Sequence, residues 1–207
     1  GIHGAQDNCN SIIRSGFKCQ FFVGNRNEPL FKNFILDFGK AAATFRHLRQ
    51  MRVAIIGKMS GMNDILVDEM SFYKKIGPEC VHETIGTVYR YMQSVTKGEI
   101  DERIKKDRAI FDMDPRLSYD SQAYAVKMYI GFKKFLEDKK YDAFTAHFDV
   151  FGQDGRFKQL PLMAASHLMA DGYGYAAEAD SICAAMVSAA HCLGNRDANF
   201  TEMYTMD

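Results

Sequence analysis

The sequence predicts an α/β protein: βαβ layers around a mainly parallel sheet, of the Rossmann or flavodoxin-like kind. Three observations point there. Short runs of strand length recur, at "RVAIIG", "ECVHETI" and "DAFTAHFD". Amphipathic stretches with apolar residues at helical spacing separate them. Turn and capping residues, among them Asn27, Gly77-Pro78, Asp154-Gly155 and Gly172, sit at the junctions.

Taken in order, "CQFFV" (19–23) reads as a buried strand. A helix follows, with Asn27 as its cap and Pro29 in its first turn, running to about Gln50. "RVAIIG" (52–57) is a second strand, and "KMSGMN" the loop after it. A helix from Asp64 to Ile76, capped by Asn63, is stopped by Gly77-Pro78. "ECVHETI" (79–85) is a third strand; residues 87–117 are charged and partly helical, broken at "DMDPR". The clearest helix covers 120–139, where Ala125, Met128, Phe132, Phe135 and Leu136 fall on one side. "DAFTAHFD" (142–149) is a strand whose alternation sets Phe144, Ala146 and Phe148 on one face and Thr145, His147 and Asp149 on the other. Residues 160–171 form a helix ended by Gly172, "YGYAAE" is a short extended segment, and Asp180 or Ser181 caps a helix ending near Gly194. "FTEMYTM" begins a further strand.

Composition limits the function classes. The chain of 207 residues holds 26 basic and 26 acidic side chains, so no excess of charge draws it to nucleic acid or anionic lipid. Five cysteines, none in a CxxC pair, suit reduced thiols in a cytoplasmic protein better than a disulfide framework. The Ala-rich stretch 182–190 is shorter than the about 20 residues a membrane span needs, and no signal peptide is evident.

Several groups compete as sites. "IIGKMSGMN" follows a strand and precedes a helix, but it is neither GxGxxG nor a P-loop. A nucleotide-binding oxidoreductase built on it would need Glu83 as its ribose contact. His47, His167 and His191 fall inside helices, where packing or surface roles are the default, and no histidine has metal-ligand spacing. His147 and Asp149 share a strand face, a weak signal alone. Glu178 lies at a strand's carboxyl end, where such sheets carry their sites, yet a carboxylate before a helix also serves its dipole. Glu202, read locally, is an exposed strand charge.

Three ordered blocks change the weighting of the glutamates. "FKQLP", "GYGYAAEAD" and "FTEMYT" resemble, in order, the "K/R-Q-L-P", "G-Y-G-F/Y-x-x-E-x-D" and "F-x-E-x-Y-T" segments of the L-arabinose isomerases and their L-fucose isomerase relatives. "IHG" (2–4) and "GMNDILVDE" (61–69) resemble upstream segments of the same family. The resemblance implies a cytoplasmic aldose–ketose isomerase that uses Mn²⁺ or another divalent cation. It further implies that Glu178 and Glu202 bind the metal and act as acid and base, and that His3, Met62 and Phe148 line the sugar site. The family forms sites between subunits, so a homo-oligomer is implied, with a small sugar as ligand and neither nucleic acid nor membrane as partner.

The residue types suit that chemistry. Carboxylate oxygens are ligands for a hard divalent cation, and a carboxylate can move a proton between C1 and C2 of an open-chain sugar. The chain departs from the family in two ways. "G-E-G-D-W" is "A-E-A-D-S" here, which alters the pocket rim and leaves the sugar open. The two histidines that complete the family's metal site lie beyond the last block, so they fall outside the 207 residues. The expectation is a segment of a longer isomerase, with residues 1–51 closing an N-terminal domain, 52–194 forming a central one and 195–207 opening a C-terminal one. Alone it should be inactive. A non-catalytic sugar-binding or scaffold protein on the same fold is the competing expectation.

Overall fold

A computed structural model of the chain describes residues 2–58, 67–194 and 198–201. It divides into two compact units, residues 1–42 and 43–207.

The first unit holds α1 (Ile2–Arg14) and the start of α2 (Pro29–Gln50). The strand expected at 19–23 does not form; the segment is irregular, and Phe21 and Val23 are exposed. An apolar run becomes a strand only when a neighbour satisfies its backbone groups, and none of the described residues pairs with it. Phe22 instead packs its ring on Phe31 and Phe34 of α2, at centroid distances of 5.7 and 5.4 Å. The helix α1 was not anticipated.

The second unit is the α/β body. Its strands are β1 (Arg52–Ile56), β2 (Glu79–Glu83), β3 (Ala143–Ala146) and β4 (Gly174–Ala177), all parallel, in the order β2-β1-β3-β4. The helices are α3 (Glu69–Lys75), α4 (Ile85–Gln93), α5 (Lys97–Ile110), α6 (Tyr119–Lys139), α7 (Asp149–Asp154), α8 (Leu162–Ala170) and α9 (Ser181–Leu193). The predicted fold class is the observed one. No described helix is long and apolar enough to cross a membrane.

The period-2 rule divides the core in two. Ala54, Ile56, Phe144, Ala146 and Tyr175 face a cluster built from α4, α6 and α8, centred on Phe132, Phe135 and Leu168. Val53, Ala143 and Ala176 face Ala184 and Ala185 of α9, with Phe72 of α3 beside them. The small side chains let α9 lie close to the sheet: a Cβ on Gly174 would sit 2.0 Å from the Ala184 carbonyl oxygen and 2.8 Å from the Ala143 Cβ.

Element ends follow local chemistry. Thr84, expected inside a strand, caps α4 by accepting the Thr87 N–H. Asp68 caps α3 by accepting the Ser71 N–H, so the described helix starts later than expected; Asn63 lies outside the described residues. The strand read over 142–149 stops at Ala146, because Phe148 turns helical and Asp149 opens α7, a one-and-a-half-turn helix not foreseen. Asp180 accepts the Cys183 N–H and is the cap of α9. Of the final block, residues 198–201 form no strand and 202–207 lie outside the described residues.

Candidate active site

The strand order places the site. From β1 the chain moves outward to β2, then crosses back to lay β3 on the other side of β1. The loops leaving β1 and β3 therefore diverge, and the crevice between them is where open α/β sheets bind ligands. The register fixes which residues meet there. Ile56 pairs with Glu83 and Ala146, and Ala146 pairs with Ala177. One step further along, Thr84, Gly57, His147 and Glu178 form a row across the carboxyl ends of the strands.

Each member of this row is held by specific contacts. Gly57 has φ +72°, and a Cβ there would fall 2.3 Å from Cγ1 of Val150, so only glycine fits. The His147 N–H donates to the Ile56 carbonyl oxygen at 3.1 Å, which ties it to β1. Its ring stacks on Phe148, with centroids 4.7 Å apart and planes at 21°. Its Nδ1 accepts the Asp149 N–H at 3.2 Å and lies 3.9 Å from the Asp149 carboxylate. Beneath it, the buried Thr145 hydroxyl donates to the Ala176 carbonyl oxygen at 2.7 Å, joining β3 to β4 under the site.

Glu178 is half-buried at the end of β4 with φ +60°, and Ala179 follows with φ +69°. Two consecutive residues with side chains in the left-handed region are costly, about 1–2 kcal/mol each. They reverse the chain so that the Asp180 N–H bonds the Ala177 carbonyl oxygen and Asp180 can cap α9. The family pattern has glycine at position 179; its conformation here explains that preference. Such strain concentrates at functional sites.

The predicted site residues are thus distributed as follows. Glu178 and Phe148 lie at the carboxyl ends of adjacent strands, Phe148 with 44% of its surface exposed. His3 is exposed on α1, in the first unit. Met62 and Glu202 fall outside the described residues. Among the described residues no group of three His, Cys, Asp or Glu side chains could hold a metal ion.

Other candidates are engaged elsewhere. Glu83, needed as a ribose contact by a nucleotide reading, accepts the Tyr141 hydroxyl at 2.8 Å and lies 3.7 Å from Lys139. Burial, then this carboxylate, pushes the Tyr141 hydroxyl well above its ordinary range. His167 is buried, its Nδ1 accepting from Arg103 at 2.8 Å; burial and that guanidinium hold its pKa below the usual histidine value. His47 bonds Ser188 at 2.9 Å. His147 carried one signal in the sequence, a strand face shared with Asp149. The backbone reversal at Ala179 had no signal apart from the family's glycine.

Comparison with known proteins adds the rest. A family model described as the L-arabinose isomerase central domain matches residues 61–196. L-arabinose isomerase of Clostridium beijerinckii is 32% identical over 187 residues, covering 88% of this chain and 37% of its own length. The enzymes of that name from Clavibacter sepedonicus and Geobacillus kaustophilus are 27% and 28% identical over 93% of this chain and 39% and 40% of theirs. The chain therefore spans about two fifths of the length of these relatives.

Proposed function

Because the chain belongs to the L-arabinose isomerase family through its central domain, we propose that it forms part of a metal-dependent aldose–ketose isomerase acting on L-arabinose or a related sugar. The observation that carries this reading is the family match, running across the segment that delivers Glu178 to the crevice end of the sheet. The proposed domain limits are residues 1–51, 52–194 and 195–207. The proposed setting is a cytoplasmic homo-oligomer with sites between subunits.

Glu178 and Glu202 would hold the cation. The fit rests on donor chemistry: Glu178 presents hard oxygen, as Mn²⁺ prefers, at a half-buried strand end. The described residues alone form no group of three such donors, so the set would be completed by Glu202 and by ligands from elsewhere in the assembled enzyme. A bound divalent cation supplies positive charge next to the sugar oxygens. The carboxylates do the proton work: one takes the proton from C2 of the open-chain aldose and returns it to C1, through an enediol, while the other serves the hydroxyls. Phe148, Met62 and His3 would line the sugar.

The test compares the 207-residue chain with the complete product of its gene, using Mn²⁺ calorimetry and conversion of L-arabinose to its ketose. The complete product should bind Mn²⁺ tightly and turn the sugar over, the shorter chain should do neither, and Glu178→Gln should lower kcat by about 10²–10⁴-fold. Failure of the complete product to isomerise any pentose or 6-deoxyhexose with Mn²⁺ would overturn the proposal. Sugar binding without turnover would point to a non-catalytic relative.

A further inference from the structure

Among the described residues three buried side-chain atoms have no hydrogen-bond partner: Asp107 Oδ2, His191 Nε2 and His147 Nε2. The first faces His167 Nε2 at 3.4 Å, inside the ion-paired cluster of α5 and α8. The second lies near the C-terminal end of α9. Only His147 stands in the row of residues at the carboxyl ends of the strands, between Gly57 and Glu178.

We propose that His147 is a substrate-binding residue of this site, donating Nε2–H to a hydroxyl or carbonyl oxygen of the open-chain sugar handled by Glu178. The proposal rests on the isomerase reading above and adds to it a residue with no assigned role. The geometry dictates the chemistry. Nδ1 accepts the Asp149 N–H, so the ring proton sits on Nε2. In this tautomer Nε2 has no lone pair for a cation, and its chemistry is donation. The ring is fixed before any ligand arrives, by the stack on Phe148 and the main-chain bond to Ile56. With His147 only 6% exposed, an unanswered N–H is costly, and an acceptor oxygen brought by the ligand removes that cost. Phe148, on which the ring lies, supplies an apolar wall beside the donor.

The complete gene product is assayed with Mn²⁺ for L-arabinose turnover, and for calorimetric binding of L-arabitol, an open-chain pentitol that cannot isomerise. His147→Ala should raise KM and the L-arabitol Kd about ten-fold, with a smaller change in kcat, because a donor to a neutral oxygen is lost from a desolvated site. His147→Gln, which keeps an N–H donor at similar reach, should recover most of the affinity. In wild-type protein labelled with ¹⁵N-histidine, L-arabitol should shift the His147 Nε2 resonance. A wild type that is active while His147→Ala keeps KM and Kd within about two-fold overturns the proposal and leaves the isomerase reading standing. A wild type that neither turns over nor binds removes both. If His147→Ala does not fold, an Nε2 resonance that L-arabitol leaves unmoved overturns the proposal.

Discussion

At the scale of single residues, the reversal after β4 is the most informative feature. Ala179 carries a Cβ at φ +69°, so it bears a steric cost that glycine would not. Glycine also enlarges the unfolded ensemble, which offsets part of the gain. The balance predicts that Ala179→Gly stabilises the fold by about 0.5 kcal/mol and that Ala179→Val, β-branched in this region, destabilises it by more than about 1 kcal/mol. Paired urea titrations check both; a Val variant as stable as the parent would contradict the strained reading. Of the candidate site, the place of Glu178 at a strand's carboxyl end was legible, because a short extended run followed by a capping residue marks that end. The unanswered Nε2 of His147 was not, since a hydrogen-bond deficit depends on what the fold brings near the ring, and no spacing rule encodes that.

At the scale of elements, chain-local chemistry decides most boundaries. Helix α5 starts with a capping box: Thr96 accepts the Glu99 N–H, and Glu99 accepts the Thr96 N–H at 2.8 Å. Lys134 of α6 bonds the same carboxylate at 2.7 Å. The lysine, then the Thr96 backbone and hydroxyl, lower the Glu99 pKa from 4.5 to about 2. A depressed carboxylate stabilises the fold above its unfolded pKa, and the contribution is lost as pH falls through the folded value, so the window runs from 4.5 down to about 2. Glu99→Gln should therefore lower Tm at pH 7 and flatten its decline across that window; parallel melting curves at both ends test this. Thr96→Ala should cost about 1 kcal/mol at neutral pH. A cap of this kind was visible in the sequence at Asp180, whereas Asn27 makes no such cap bond among the described contacts and Thr84 was hidden inside "ECVHETI", which reads as one strand. The segment "CQFFV" failed for the opposite reason: it has strand composition without a strand among the described residues to pair with.

At the scale of the whole molecule, the parallel sheet was readable from alternating apolar and amphipathic stretches, but the order of its strands was not. Order is set by which faces and crossovers pack, and no local pattern carries it. That order has a consequence for how the protein assembles. The central strand β1 meets β2 across a separation of 27 residues, as in the Arg52–Glu79 pair, and meets β3 across 90, as in the bond from Arg52 N–H to Asp142. Closing the longer loop costs about 1 kcal/mol more entropy, so β1–β2 should form in the rate-limiting step and β3 should dock afterwards. Stopped-flow measurements should find that Val81→Ala, in β2, chiefly slows folding, while Phe144→Leu, in β3, chiefly speeds unfolding. The half of the sheet whose ends carry His147 and Glu178 would then be the last part to close, and the first to open when the protein unfolds.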